Sequence, residues 1–510
     1  MSPLRVVVVG GGIAGLTAAW EAVALGAEVT VLEQAPRVGG ALALTSLATA
    51  GGRVVVDAGA EAFLARRPEV TRLAAEVGLA ADLVHPVTTS ARVWSRGRAW
   101  PLPPGTVLGI PASTDGLAGL LTAAEVARVA AERSLPPLRS GGPTADPGGL
   151  GSPDGAGGVG DVPHLGGLGD GGDVAVGELV AERLGDAVVD RLVEPLLGGV
   201  YAGRARELSL AAVSPALAAA LRTAPTVLDA AAAVASAGTG SALASTGPVF
   251  GGIRGGVGRL PGAVAAALRA AGATVRTGTT VRHLARAGSG WEVTTGPTGE
   301  EATVAADGVV LAVGAAPARR LLGTAGLGAA ADALGPIEDA SVGIVLLSLA
   351  AGGALATAVA DTSGILVPPV EGLLAKAATW SSSKWEWVAS AAPESVVLRA
   401  SVGRAGESAA LARPDAQIIA AVLADLETLL GVPLATSVLD ARVARWGGAL
   451  PQYRPGHLDR VRAMRALLAA TPGLAVSGAT VDGVGIPACI ASGRAAARQV
   501  IAAQLTGTLS

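Results

Sequence analysis

The chain has 510 residues, half of them apolar, and a formal net charge of −3, which leaves room for two or three domains. A nucleic-acid binder would need an excess of basic charge that is missing here. Cys489 is the only cysteine, so an internal disulfide is excluded and a cysteine metal site is not expected, in keeping with a reducing cytoplasm. His85, His164, His283 and His457 are scattered, and no metal is expected.

Val6, Val7, Val8 and Val9 form an unbroken β-branched run, the pattern of a parallel strand buried on both faces. The run begins by Leu4, so no secretory leader is expected. It breaks into Gly10-Gly11-Gly12-Ile13-Ala14-Gly15, a helix follows over residues 16–25, and Gly26 ends it. A second strand over 27–32 delivers Glu33 at its tip. This is the βαβ unit of dinucleotide binding: Gly10 turns tightly, Gly12 admits a pyrophosphate against the backbone, and Gly15 lets the helix approach the strand. The helix N-terminus offers unpaired N–H groups and a positive dipole end to phosphate. Glu33 would accept hydrogen bonds from a ribose 2′-OH and repel the 2′-phosphate of NADP, which leaves NAD and FAD. Glu33-Gln34-Ala35-Pro36-Arg37-Val38-Gly39-Gly40 resembles the flavin-binding signature of the amine oxidase superfamily and favours FAD. A second glycine pair lets another backbone segment close over an extended cofactor, and Arg37 can pair with a phosphate.

Residues 54–63 read as a strand entering a tight turn, and 68–77 as a helix. Residues 92–101 pattern as a hairpin turning at Arg96-Gly97, followed by a helix over 123–134. Gly, Pro and Asp dominate 136–172 without apolar periodicity, which predicts a disordered surface insertion. Helices are expected at 176–185, 188–197 and 228–237. A second glycine-rich stretch, 238–258, runs into Arg254-Gly-Gly-Val-Gly-Arg-Leu-Pro261. A helix over 263–271 and strands over 274–277, 291–295, 302–304 and 308–313 then return the chain to the nucleotide domain.

Residues 340–360 carry no charge, yet Ser341, Ser348 and Gly352-Gly353 favour a strand ending in a glycine turn over a membrane span. Strands alternate with one long helix (414–430) up to residue 443. A strand over 474–479 and a helix opening at Pro487, a residue suited to a first turn, close the pattern. Aimed at a flavin ring, that helix would favour negative charge there. The expected fold is α/β: a GxGxxG Rossmann-like domain (1–85, 251–315, 444–510), an interposed mixed-sheet substrate domain (86–112, 316–443), and a helical lobe (113–250).

Several segments in chain order resemble the oxygen-dependent protoporphyrinogen/coproporphyrinogen III oxidase family of haem synthesis, in its Gram-positive and actinobacterial form. They are the two glycine motifs, Asp57-Ala-Gly-Ala-Glu-Ala-Phe-Leu-Ala-Arg66-Arg67, Trp94-Ser-Arg-Gly-Arg-Ala-Trp-Pro-Leu-Pro, Glu194-Pro-Leu-Leu-Gly-Gly-Val-Tyr-Ala-Gly203, Gly255-Gly-Val-Gly-Arg-Leu-Pro, Trp446 with Ala449-Leu-Pro-Gln-Tyr453, and Gly483-Val-Gly-Ile-Pro. The resemblance implies FAD-dependent, O2-consuming, six-electron oxidation of a porphyrinogen at its CH–CH donors, with H2O2 released. It implies cofactor contacts at Gly10, Gly11, Gly12, Ile13, Ala14, Gly15, Glu33, Gln34, Arg37, Gly39, Gly40, Ala41, Gly59, Ala60, Glu61, Ala62, Val281, Trp446, Gly478, Gly485 and Ile486. Two positions depart from the family pattern: Ala488 stands where an Asp is common, and Ala41 where a basic residue is common.

The resemblance implies coproporphyrinogen III as the preferred substrate; it carries four propionates around an apolar macrocycle, so guanidiniums should edge its pocket. Arg67 aligns with a basic substrate-contacting position of the family, and Arg66, Arg96 and Arg98 are nearby candidates. No acid–base pair is needed, because positioning supplies most of the catalysis. The alternatives are a protoporphyrinogen IX oxidase, a flavin amine oxidase or carotenoid desaturase, and a binding protein without turnover. Two Tyr and two Phe supply an amine oxidase's aromatic cage poorly. The resemblance further implies a cytoplasmic protein with peripheral contact at the inner membrane face, and a ferrochelatase as downstream partner.

Overall fold

The computed structural model describes residues 3–138, 172–237, 248–297 and 299–507. Most of the insertion expected at 136–172, and the start of the second glycine-rich stretch, lie outside the described residues.

A parallel five-stranded sheet organises the nucleotide domain, in the order Thr274–Arg276, Glu28–Leu32, Arg5–Val9, Gly308–Leu311, Leu474–Val476. The valine run occupies the centre, and Val6 to Val9 are almost wholly buried, as a strand covered on both faces must be. From Arg5–Val9 the chain steps first to one side and later to the other. Gly10 therefore stands where strand order reverses, the place an open α/β sheet offers a ligand. The helices Ile13–Ala24, Arg259–Ala270 and Ile486–Gly507 cover one face. The antiparallel sheet Val281–Ala287, Gly290–Thr295, Ala302–Ala306 and the helices Ala315–Thr324 and His457–Leu468 cover the other.

A mixed seven-stranded sheet forms the second layer, in the order Val438–Pro451, Asp339–Ala350, Ser395–Val402, Ala375–Trp380, Gly364–Leu366, Ala91–Ser95, Arg98–Pro101. The uncharged run is thus a strand, Asp339–Ala350, with a short helix beginning at Gly353. Among the described residues no helix is long and apolar enough to cross a membrane. The hairpin Ala91–Pro101 joins this sheet through a parallel pairing with Gly364–Leu366, far away in the chain. One sheet face packs on the helix Asp415–Leu430. The other packs on Val54, Val56 and Ala58, which ties it to the nucleotide domain. The helical lobe has its own core, from Ile110 to Val234. The expected helix at 188–197 is longer: a π-helical turn, Val189–Val193, leads into Glu194–Tyr201.

Candidate cofactor and substrate site

Each glycine of the first turn has a distinct reason to be glycine. Gly10 has φ +107°, and a Cβ there would lie 2.3 Å from the Ala312 carbonyl oxygen. A Cβ on Gly15 would meet the Gly10 oxygen at 2.0 Å, so helix and strand touch through bare backbone. Gly12 is the exception, because a Cβ there meets nothing within 4 Å. It opens the helix Ile13–Ala24 in extended backbone, with no side-chain cap and no acid in the first turn. Free N–H groups beside open space form an anion seat.

The Glu33 carboxylate reaches across this seat, accepting from Gly11 N–H at 2.6 Å and from Ala35 N–H at 2.7 Å. Its remaining lone pairs suit ribose hydroxyls. Gln34 beside it is exposed. Gly39 donates to the Gly11 oxygen at 2.8 Å, and a Cβ on Gly40 would lie 3.5 Å from the Gly12 Cα. The second glycine pair thus closes against the first, with Ile13 and Ala14 buried beneath. The Arg37 guanidinium donates to the Val38 and Gly40 carbonyls and sits 5.5 Å from the Trp446 ring. Trp446 Nε1 donates to the Ala58 oxygen at 2.9 Å, and Gly59 wedges between the Ala41 carbonyl and the indole. Thr279 donates to the Glu33 oxygen, which brings the chain leading to buried Val281 alongside. Gly478, at φ +101°, abuts Ala14, and Gly485 and Ile486 begin the closing helix. Glycine turn and closing helix are therefore neighbours. These residues fit a dinucleotide: open backbone at Gly12, uncapped donors, and a carboxylate at ribose distance along the strand.

Beyond Gly59 lies a buried charge cluster. Exposed Ala60 leads to Glu61 and half-buried Ala62. Glu61 pairs with Lys384 Nζ at 2.6 Å and with Arg399 at 3.3 Å, and Ser381 adds a hydrogen bond. Arg399 also donates to the Asp57 and Gly59 carbonyls, binding the second sheet to this turn. Burial pushes the Glu61 carboxyl up, but the charges of Lys384 and Arg399 outweigh it and draw it down to about 2. Asp57 accepts from Val257 N–H at 3.0 Å and Gly258 N–H at 2.8 Å, which fastens the Arg254–Pro261 motif to the same loop. Its burial dominates, raising it to about 7. Sequence reasoning passed over Lys384 and Arg399. The signal was present: Lys376 and Lys384 are the chain's only lysines. A cleft of about 480 Å³ opens nearby between Arg37, Leu44 and Ala58 on one wall and Leu346, Arg442 and Trp446 on the other.

The four arginines expected from the sequence to meet substrate are not gathered together. Arg67 pairs with Glu69, and Arg66 is exposed beside it. Arg96 binds Glu125 at 2.7 Å, and Arg98 lies over Trp100. Both sit on the hairpin, at the sheet edge opposite the strand that bears Trp446. No group of three or more potential metal ligands occurs among the described residues.

A two-layer architecture with an N-terminal glycine turn, a strand-end acid and a closing helix defines a dinucleotide-dependent oxidoreductase. The family model for flavin-containing amine oxidoreductases matches residues 13–501, and the chain belongs to that family, with FAD as its cofactor. A Mycobacterium tuberculosis protein named coproporphyrinogen III oxidase is 39% identical over 508 residues, covering 97% of each chain. The Bacillus subtilis protein of the same name is 30% identical over 506 residues, 96% of this chain and 97% of its own. A crystal structure from Exiguobacterium sp. 255-15, provisionally named a protoporphyrinogen oxidase, superposes with a TM-score of 0.77 at 28% identity. It covers 99% of this chain and 100% of that one.

Proposed function

We propose that the chain is a coproporphyrinogen III oxidase of haem biosynthesis, converting coproporphyrinogen III to coproporphyrin III. Three two-electron steps remove six electrons and six protons, and three O2 leave as H2O2. FAD supplies the two-electron acceptor that O2 regenerates. The observation that carries this reading is the 39% identity, over 97% of the chain, to the mycobacterial protein of that name.

In this reading Gly10 to Gly15 and Glu33 hold the dinucleotide, while Arg37, Gly39, Gly40 and Ala41 close over it. Gly59 to Ala62, Val281, Trp446, Gly478, Gly485 and Ile486 line its ring side. The chain's own contribution to chemistry is positioning: the macrocycle is held in place while a pyrrole N–H loses its proton to water. Arg66 and Arg67, with Arg96 and Arg98, are candidate partners for propionates. Work at the inner face of the membrane, with delivery of the product to a ferrochelatase, belongs to the same reading.

The test is direct. Purified yellow protein should turn coproporphyrinogen III into fluorescent coproporphyrin III with matched H2O2 release, and faster than it oxidises protoporphyrinogen IX. Preference for protoporphyrinogen IX, or no turnover of either, overturns the proposal.

A further inference from the structure

The Glu61 cluster holds one more cation than a single carboxylate can neutralise. Glu61 lies between Lys384, which ends the short helix Ser381–Lys384, and Arg399, on the strand Ser395–Val402. Lys384 Nζ stands 2.6 Å from one carboxylate oxygen, and the Arg399 guanidinium 3.3 Å from the other. The Asp57 carboxylate is turned to the Val257 and Gly258 N–H groups instead. Burial pushes Glu61 up, but the two cations outweigh it and keep it ionised. Burial raises Asp57 to about 7, which leaves it about half neutral at neutral pH. The junction keeps a positive surplus.

Little water reaches these charges. The side chains of Glu61, Lys384 and Arg399 are 13%, 14% and 11% exposed. The Lys384 ammonium lies 5.2 Å from the centre of the Trp385 ring and 5.9 Å from that of Phe250. A cavity of about 10 Å³ between Asp57, Glu61, Ser381 and Arg399 has room for about one water. Charges enclosed in this way are screened far less than surface pairs, so their field reaches further.

Backbone contacts join the cluster to the dinucleotide seat. Arg399 donates to the carbonyls of Asp57 and Gly59. A Cβ on Gly59 would lie 1.8 Å from the Ala41 carbonyl oxygen. Ala41 follows the glycine pair, whose Gly39 forms a β-bridge with Gly12. Gly12, the segment from Gly39 to Ala41, Gly59 and Arg399 thus touch in series.

Resting on the placement of Gly59 to Ala62 along the ring side of FAD given above, we propose that Lys384 and Arg399 raise the reduction potential of the bound flavin. They are positioning residues: Glu61 fixes them behind the turn, and their charge acts across it rather than at the reacting atoms. Positive charge beside a flavin favours its electron-rich reduced form, which suits a cofactor that must take electron pairs from a carbon donor.

The test is a potentiometric titration of the FAD-loaded full chain, followed by visible absorbance with no substrate present. Lys384→Met removes one positive charge and should shift the flavin about tenfold toward the oxidised form at a fixed potential. For a two-electron couple that is a midpoint lower by about 30 mV. Lys384→Arg keeps the charge and should stay near the wild-type value. Glu61→Gln leaves both cations uncompensated and should move the midpoint upward. A cluster that only braced the fold would not give K384M and E61Q shifts of opposite sign. Shifts of the same sign, no shift in either, or a K384R midpoint equal to that of K384M overturns the proposal. Both lysine variants leave Glu61 its contacts with Arg399 and Ser381, so if E61Q does not fold, K384M against K384R decides alone. Unmoved midpoints in variants that still oxidise coproporphyrinogen III sink this inference and spare the reaction. The expected shifts in a protein that does not oxidise it sink the reaction and leave the inference standing.

Discussion

Gly493 lies so close to Ala14 that a Cβ on it would come within 2.1 Å of the Ala14 carbonyl oxygen. Through this contact the closing helix, Ile486–Gly507, seats on the helix that begins the dinucleotide seat. Backbone cannot yield as a flexible side-chain end can, so added volume must part the two helices. Gly493→Ala should cost about 1–3 kcal/mol and Gly493→Val more. Both should lower the flavin-to-protein absorbance ratio. Thermal melts and visible spectra measure both; G493A melting with the wild type and holding full flavin contradicts the interlock.

Gly12 and Gly15 should separate folding from cofactor binding. A methyl on Gly12 meets no protein atom within 4 Å, whereas one on Gly15 meets the Gly10 oxygen at 2.0 Å. Gly12→Ala apoprotein should therefore melt close to wild type yet bind FAD at least about tenfold more weakly, since the methyl takes pyrophosphate space. Gly15→Ala should lose stability with or without FAD. Apoprotein calorimetry and FAD titration distinguish them.

Glu33 has both a local and a ligand role, accepting from Gly11 and Ala35 N–H groups. Glu33→Gln keeps the shape but gives up charge-assisted bonds worth about 1.5–3 kcal/mol each. FAD affinity should fall about tenfold or more, measured by titrating apoprotein. Retention of wild-type affinity would place the ribose elsewhere.

Removing Glu61 strands two buried cations. Glu61→Gln should destabilise by about 3–5 kcal/mol, and the double variant with Lys384→Met by less than the sum of the two single changes. The pH signs differ for the neighbouring acids. Glu61, at about 2 folded against 4.5 unfolded, contributes stability that is present above pH 4.5 and lost as pH falls toward 2. Asp57, at about 7 against 3.8, contributes stability that is lost as pH rises between these values. Denaturant titrations across about pH 3 to 8 should show the acid loss in wild type and its absence in E61Q.

The opening βαβ unit was legible because its signals are local: a valine run, three glycines, a helix and a strand-end acid lie within thirty-three residues. The hairpin was legible for the same reason, and Arg96 and Gly97 both adopt positive φ at its turn. Its destination was not. Pairing of Ala91–Ser95 with Gly364–Leu366 depends on a contact between strands far apart in sequence, and no periodicity encodes it. Glu61 stood in the notice given to Gly59 to Ala62, but Lys384, 323 positions away, did not. A buried ion pair leaves no spacing rule behind. The proposed arginine group illustrates the same limit, for composition names the residue type while tertiary packing decides which arginines already hold an acid.

The central sheet is stitched from strands at residues 5–9, 28–32, 274–276, 308–311 and 474–476. During synthesis, at about 5–20 residues per second, the first two strands must wait roughly half a minute or longer for the strand that completes their sheet. The valine run keeps an unsatisfied edge until 308–311 emerges to pair with it, and that strand in turn keeps an open edge until 474–476 follows, so the nascent chain is exposed to aggregation until its 474–476 segment clears the ribosome. Chaperone demand and codon speed in the second half of the message should therefore govern yield more than any local propensity.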